Sequence, residues 1–291
     1  MSENNKTDFI TYPKTFEKYR WYKPILVLII SFIAYLVFSV ILIVAFGAMF
    51  GESYTNNILL SDGYESMNNP IGLVFSSLIV AVMIPSLYIG AKIVRDRPFS
   101  SYVSSRGGWN YKLYLKAFII PFIIITAYTL IQCAIWGADP NGAYYFSVTL
   151  LIASIIVVPL QCIAEEYIFR GLFMQTFGAW FKIPLAAIIL QAIVFTLGHE
   201  YNMVGQIEIL VSGLIYGFFT WKTNGIEVSS AMHTANNFSL ALSGMLGLTA
   251  ATSALHATDV IVSIIFDIAL CLVMYYVGKK TNWFGELPET S

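Results

Sequence analysis

The sequence predicts an all-α, polytopic membrane protein of about eight transmembrane helices with both termini cytoplasmic. Three observations carry this. Apolar residues fill 57% of the 291 positions and charged residues only 11%, a balance typical of chains that live in lipid. The apolar residues come in successive charge-poor runs, several reaching the roughly 20 residues a helix needs to cross a bilayer. With eight spans and the N-terminus inside, all 16 Lys and Arg residues collect on the cytoplasmic side, as the positive-inside rule requires.

Each element follows from its own stretch. Residues 1–23 are a polar cytoplasmic tail with Lys6, Lys14, Lys18, Arg20 and Lys23, expected to be partly mobile. Residues 24–280 form a single transmembrane domain and 281–291 a C-terminal tail. The first run, Pro24 to Gly51, is too long for a signal-peptide core and has no small-x-small cleavage site after it, so it is read as a retained span. An acidic segment holding Glu52, Asp62 and Glu65 leads to the second run, which ends at Lys92. A basic segment follows with Arg95, Arg97, Arg106, Lys112 and Lys116. The third run, Ala117 to Ala138, closes at the turn Asp139-Pro140-Asn141-Gly142. The fourth starts near Tyr144 and runs into Glu165-Glu166-Tyr167-Ile168-Phe169-Arg170, with Gly171 to Lys182 as a continuation or an interfacial turn. Pro184 opens the fifth at a favoured first-turn position. That span ends near His199, the sixth covers about Gly205 to Trp221, the seventh Ile226 to Gly247, and the eighth Asp259 to Gly278, stopped by Lys279 and Lys280. Gly213 with Gly217, and Gly244 with Gly247, read as close helix packing.

Composition excludes some functions. A net charge of −1 gives no basic field for nucleic acid. Cys133, Cys162 and Cys271 all lie in apolar runs without metal-ligand spacing, so packed thiols are expected.

The charged motif closing the fourth span carries the chemistry. Ionisable groups are costly in hydrocarbon and are functional candidates there. Glu166 and Arg170 stand at i,i+4 with the acid first, the favourable order for a helical ion pair. Glu165 points about 100° away around the helix and is the free carboxylate. Alone, the motif could equally be a charged helix end at the interface. His199 closes the fifth span, and His233 and Asn237 share one face of the seventh at i,i+4. A lone intramembrane histidine is more often a packing residue, but two of them with a glutamate and an asparagine make a site. Peptide hydrolysis needs a base for water, a proton carrier and oxyanion donors, and these side chains can supply all three. Asp267, within the eighth span, reads either as part of an ion or proton path or as a hydrogen-bonded structural acid.

The ordered motifs Glu-Glu-x-x-x-Arg, Phe-x-x-x-His and His-x-x-x-Asn, on the fourth, fifth and seventh spans, resemble the CPBP family of intramembrane proteases. This is the CAAX-protease and bacteriocin-processing family that includes the eukaryotic Ras-converting enzyme. The resemblance covers about residues 144–247, the motif-bearing core. It implies an intramembrane endopeptidase in which Glu165 and His199 activate water, His233 and Asn237 form an oxyanion site, and Glu166 and Arg170 organise the motif. Implied partners are the bilayer and a membrane-associated peptide or protein substrate, with oligomers an open possibility; the implied location is a multi-pass position in a bacterial plasma membrane.

Other readings stay open on the sequence. No cofactor is certain. Zn2+ is possible, with Glu165, His199 and His233 as ligands and a fourth position open, and a metal-free glutamate-and-histidine mechanism is the alternative. A His-Glu-x-x-His motif is ruled out because Met203 follows His199-Glu200-Tyr201-Asn202, leaving Glu200 as an extracytoplasmic interface residue. The non-catalytic alternative is a membrane scaffold or bacteriocin-immunity protein using the same cavity for binding. A transporter finds no inverted repeat to support it. Straight helices ending at Arg170 and His199 would leave Glu165 and His199 at different depths. A fourth helix kinked at Pro159, or one extending beyond Arg170, would bring them level.

Overall fold

The computed structural model describes residues 8–60, 68–249 and 256–283. Asp62, Glu65, Lys6 and most of the tail 281–291 lie outside the described residues. Among the described residues there are helices and no strands, only two isolated bridges, Ser104 to Gly225 and Tyr144 to Leu246.

The helices are α1 (Lys23–Phe50), α2 (Glu52–Leu60), α3 (Pro70–Ala81), α4 (Met83–Val94), α5 (Tyr111–Trp136), α6 (Val148–Glu166), α7 (Gln175–Phe181), α8 (Pro184–Leu197), α9 (Met203–Thr223), α10 (Glu227–Met245) and α11 (Ala257–Lys280). A π-helical segment, Tyr167–Met174, joins α6 to α7. The boundaries follow from side-chain chemistry. Asn69, Asn110, Ser147 and Asn202 each cap a helix by accepting from the backbone N–H three residues on, which satisfies an otherwise orphaned donor. Pro24, Pro70 and Pro184 sit in first turns, where a missing N–H costs nothing. Arg95, Lys182 and Asn224 end their helices in the left-handed conformation.

Among the described residues, six helical units are long and apolar enough to cross a membrane: Lys23–Phe50, Pro70–Val94, Tyr111–Trp136, Val148–Phe181, Met203–Thr223 and Ala257–Lys280. Of the eight expected spans, the fifth and the seventh are not among these six. The expected fifth span, α8, has only 14 residues, about 21 Å of helix. The expected seventh, α10, is long enough at 19 residues but carries Ser229, Ser230, Thr234, Asn236, Asn237, Ser239 and Ser243. Its polarity has a physical reason: α10 packs on α5, α6 and α9, and residues 227–235 are all buried. Protein, not lipid, surrounds its first half. The outer helices show the opposite pattern. Ile29, Phe32, Ile33, Val37, Val40 and Val44 of α1 are exposed, as a lipid-facing surface requires.

Two further differences from the sequence reading bear on the site. The helical path runs unbroken through Pro159, and its departure from α geometry comes later, at Tyr167–Met174. The N-terminal segment, expected to be partly mobile, is packed from Asp8 onward. Phe9 and Ile10 are buried, the Phe9 N–H donates to Asn224 Oδ1 at 3.3 Å, and the Trp221 indole donates to Asp8 Oδ2 at 3.2 Å. Ile10 lies against Gly178, where an added Cβ would meet its carbonyl oxygen at 2.5 Å. Cys162 is buried, and all three cysteines are free thiols.

The loop after α4 clamps the π-helical segment. Arg97 bonds Gln175 Oε1 and donates to the Gly171 carbonyl at 3.4 Å, while Gln175 Nε2 donates to Ser101 O at 2.9 Å. Phe99 stacks on Tyr167 with centroids 5.3 Å apart. A Cβ on Gly171 would lie 2.6 Å from the Tyr102 carbonyl oxygen, closer than backbone atoms tolerate. Gly171→Ala should therefore push the loop off the segment and cost about 1–3 kcal/mol, the range for overpacking a close contact. Thermal unfolding in detergent checks this, with Gly47→Ala, where no atom lies within 4 Å of the new methyl, as the neutral control.

Candidate active site

α6 continues through the π-helical segment into α7, so the fourth span is one apolar unit of 34 residues, Val148–Phe181. Glu165 sits near its middle. From Phe181 back to Glu165 is about 24 Å of helix, and from Pro184 forward to His199 about 22 Å. The two strands of this helical hairpin thus place Glu165 and His199 level. The depth conflict disappears because the helical path continues past Arg170 through the π-helical segment and α7, and because α8 is short.

Glu166 and Arg170 are fully buried, with Arg170 Nη1 donating to Glu166 Oε1 at 2.9 Å. Breaking into π geometry at Tyr167 widens the turn without separating this pair. Arg170 also donates from Nη2 to Gly213 O at 3.2 Å and lies over the Phe195 ring at 4.4 Å. Gln191 Nε2 donates to the same Gly213 carbonyl at 2.8 Å. The close approach of α9 to α8 depends on Gly213 and Gly217, whose added Cβ atoms would lie 3.1 Å from Ala192 Cβ and 2.5 Å from Gln191 Nε2.

Both histidines are oriented by oxygen acceptors. His199 Nδ1 lies 2.8 Å from Phe195 O; a carbonyl can only accept, so Nδ1 carries the proton. His233 Nδ1 lies 3.0 Å from Glu166 Oε1, and when Glu166 is ionised the imidazole is again the donor. Each ring therefore turns Nε2 inward. Both Nε2 atoms lie 3.9 Å from Glu165 Oε2, an oxygen without a hydrogen-bond partner among the described residues. Asn237 Nδ2 lies 3.4 Å from His233 Nε2. The structure thus brings Glu165, His199, His233 and Asn237 to one point, with Glu166 and Arg170 behind them. Tyr216 stacks on the His233 ring, centroids 5.2 Å apart. The His199 side chain is 25% exposed against 5% for His233, so the approach is from the His199 side.

Some participants were not read from the sequence. Gln161 Nε2 reaches Glu165 Oε1 at 3.5 Å, and Ser77 Oγ of α3 donates to Gln161 Oε1 at 3.2 Å. Cys162 lies beside His233. Gln161 and Cys162 precede Glu165 and Glu166 by four residues, so helical register alone could have flagged them. Nothing in the sequence ties Ser77 to the site. Asp267 is elsewhere: it accepts from Ser212 Oγ at 3.4 Å between α9 and α11, near Glu208, which accepts from Ser263 Oγ at 2.5 Å. Glu200 is exposed.

The donor set suits zinc in kind. Two imidazole Nε2 atoms and a carboxylate are common zinc ligands, and an oxygen acceptor on each Nδ1 is the usual outer support. In spacing the side chains would have to draw together by about 0.5 Å around an ion. Ligands on one tetrahedral zinc lie about 3.4 Å from each other, against 3.9 Å here, and among the described residues no group of three or more His, Cys, Asp or Glu is set to hold an ion.

The two glutamates should respond differently to amide substitution. Glu166→Gln leaves Arg170 buried without a counter-charge, and breaking a buried pair costs roughly 3–5 kcal/mol. Glu165→Gln removes a charge paired with no cation at closer than 3.9 Å, so folded yield and melting temperature should stay near wild type. Thermal unfolding of both variants checks this; equal stability would show that Glu166 does not anchor the site.

Residues 147–239 match the family described as type II CAAX prenyl endopeptidase Rce1-like. The chain is 29% identical over 209 residues, 68% of its length and 70% of the relative's, to a Bacillus subtilis protein described as "Uncharacterized protein YyaK". No solved structure matches it. The matched segment contains Glu165, Glu166, Arg170, His199, His233 and Asn237, and the family it matches is the one that the three motifs resemble.

Proposed function

We propose that this chain is an intramembrane endopeptidase that hydrolyses peptide bonds of membrane-associated peptides or proteins through a water activated by Glu165 and His199. The observation that carries the reading is the convergence of two oriented imidazole Nε2 atoms on the unpartnered Glu165 Oε2, each at 3.9 Å. That separation is too long for a direct hydrogen bond and short enough for one water to bridge.

In this reading Glu165 takes a proton from the water as its oxygen attacks the peptide carbonyl carbon. His199, whose Nε2 lone pair faces the same point, accepts the second O–H. The proton on Glu165 then passes to the departing amine as the C–N bond breaks. The carbonyl oxygen becomes an oxyanion stabilised by Asn237 Nδ2 and His233. His233 donates from Nε2 only as the imidazolium, because its Nδ1–H serves Glu166. Glu166 and Arg170 cancel each other's charge, so an imidazolium at His233 would balance Glu165. Were zinc bound, Glu165, His199 and His233 would hold it, and it would supply Lewis-acid activation of water.

Eight helices crossing the bilayer, with α10 sheltered inside the bundle and both termini cytoplasmic, fit this site. Leader peptides of bacteriocins or signalling peptides are the proposed substrate class, in a bacterial plasma membrane.

Incubating the purified chain with a library of membrane-tethered peptides tests the activity. Cleavage should occur, Glu165→Gln should abolish it, and His233→Ala and Asn237→Ala should each slow it about 10²–10³-fold. Binding without turnover would make the chain a scaffold or immunity protein instead. A strong chelator should change little; loss of activity together with one bound zinc per chain would assign the three ligands to a metal.

Cysteine labelling tests the orientation. With the native thiols replaced, a cysteine at Asn68 or His256 should react with a membrane-impermeant reagent from outside the cell, and one at Lys112 should not. The reverse pattern would invert the topology.

A further inference from the structure

A second feature lies at the polar end of α4, away from the Glu165 site. Here the N-terminal segment and the loop after α4 enclose a cavity of about 500 Å3. Its charged lining is Lys18, Lys92, Arg95 and Arg97 with Glu17 and Asp96. Arg97 and Asp96 are buried and paired at 3.8 Å, which leaves three exposed cations against the one exposed carboxylate of Glu17. The Arg97 head is rigid: Gln175, the Gly171 carbonyl and the Tyr102 ring at 3.8 Å hold it in place. Lys92 and Arg95 extend from the end of α4 without an ion-pair partner among the described residues.

The depth of the cavity indicates its occupant. Tyr88 lies one turn before Lys92, lines the cavity and is 47% exposed; Ile93 is 61% exposed. The mouth therefore opens where the apolar outer face of α4 gives way to its basic end. Trp21 and Tyr22 are exposed at the start of α1, the placement of interfacial aromatics. An anion delivered from the membrane would reach Lys92 and Arg95 while its acyl chains lay along Tyr88 and Ile93. Basic pockets at this level suit anionic lipid headgroups.

We propose that this pocket binds the phosphate headgroup of an anionic phospholipid, with Lys92 and Arg95 as its contacts and Arg97 as the fixed wall behind them. The inference rests on the membrane reading and not on catalysis. Because Arg97 joins this wall to Gly171 and Gln175, an occupied pocket would also brace the loop that clamps the π-helical segment.

The test uses the full chain reconstituted in phosphatidylcholine nanodiscs containing phosphatidylglycerol, with retained lipid read by native mass spectrometry. Phosphatidylglycerol should be retained over phosphatidylcholine, and inorganic phosphate should not displace it. Lys92→Ala and Arg95→Ala should each weaken retention about fivefold, and the pair about 25-fold, at about 1 kcal/mol per basic residue. Lys112→Ala, a basic change elsewhere on the surface, should leave retention unchanged. Both variants alter exposed side chains, and melting in pure phosphatidylcholine serves as the folding control. Equal retention of the two lipids, wild-type retention by the double variant, or displacement by inorganic phosphate would each overturn the proposal. Retention is read without turnover, so a chain that holds the lipid but cleaves nothing sinks the protease reading alone.

Discussion

The site depends on a single buried oxygen. Glu166 Oε1 receives Arg170 Nη1 at 2.9 Å and His233 Nδ1 at 3.0 Å, and all three side chains are buried. A carboxylate removed from water costs several kcal/mol unless it is paired and hydrogen-bonded, so α6, the π-helical segment and α10 must meet here for the bundle to close. Arg170 extends the same network to Gly213 of α9 and to the Phe195 face on α8. One ion pair thereby fixes the relative positions of the helices that carry His199 and His233. Glu165, one residue away and pointing elsewhere, keeps an oxygen without a partner among the described residues.

The two segments that depart from an ordinary span both serve this arrangement. α8 has 14 residues and stops at the level of Glu165, so His199 sits at its end and not along a wall of apolar helix. α10 carries more hydroxyl and amide groups than a lipid-facing helix could bear. Thr234 accepts from Tyr114 of α5 at 3.0 Å, Ser239 pairs with Thr126 at 3.3 Å, and Ser229 accepts from Thr220 at 2.8 Å. Neighbouring helices satisfy these three hydroxyls, and that shelter lets polar chemistry stand inside a membrane protein.

The π-helical segment is held from outside the site. Arg97, Ser101 and Tyr102, all from the loop after α4, meet Gly171 and Gln175. The stacked Phe99 and Tyr167 rings close the other side. π-helical turns are rare and occur frequently at functional sites. Here an extramembrane loop restrains one, linking the basic end of the bundle to the helix bearing Glu165 and Glu166.

Sequence by itself determined the all-helical membrane architecture, the order of the elements and the pairs that lie within one helix. Glu166 with Arg170, and His233 with Asn237, were legible because the helical period places residues four apart side by side. The apolar runs likewise located α8 and α10, although not the shortness of the first or the inner position of the second. What only the tertiary structure decided is how separate helices meet. Glu166 and His233 are 67 residues apart, and Ser77 and Gln161 84 apart. Their contacts depend on helix tilt, on the π geometry at Tyr167–Met174 and on backbone approach at Gly213. None of these leaves a periodic mark in the chain, because a hydrophobic pattern records which face is buried and not what that face is buried against.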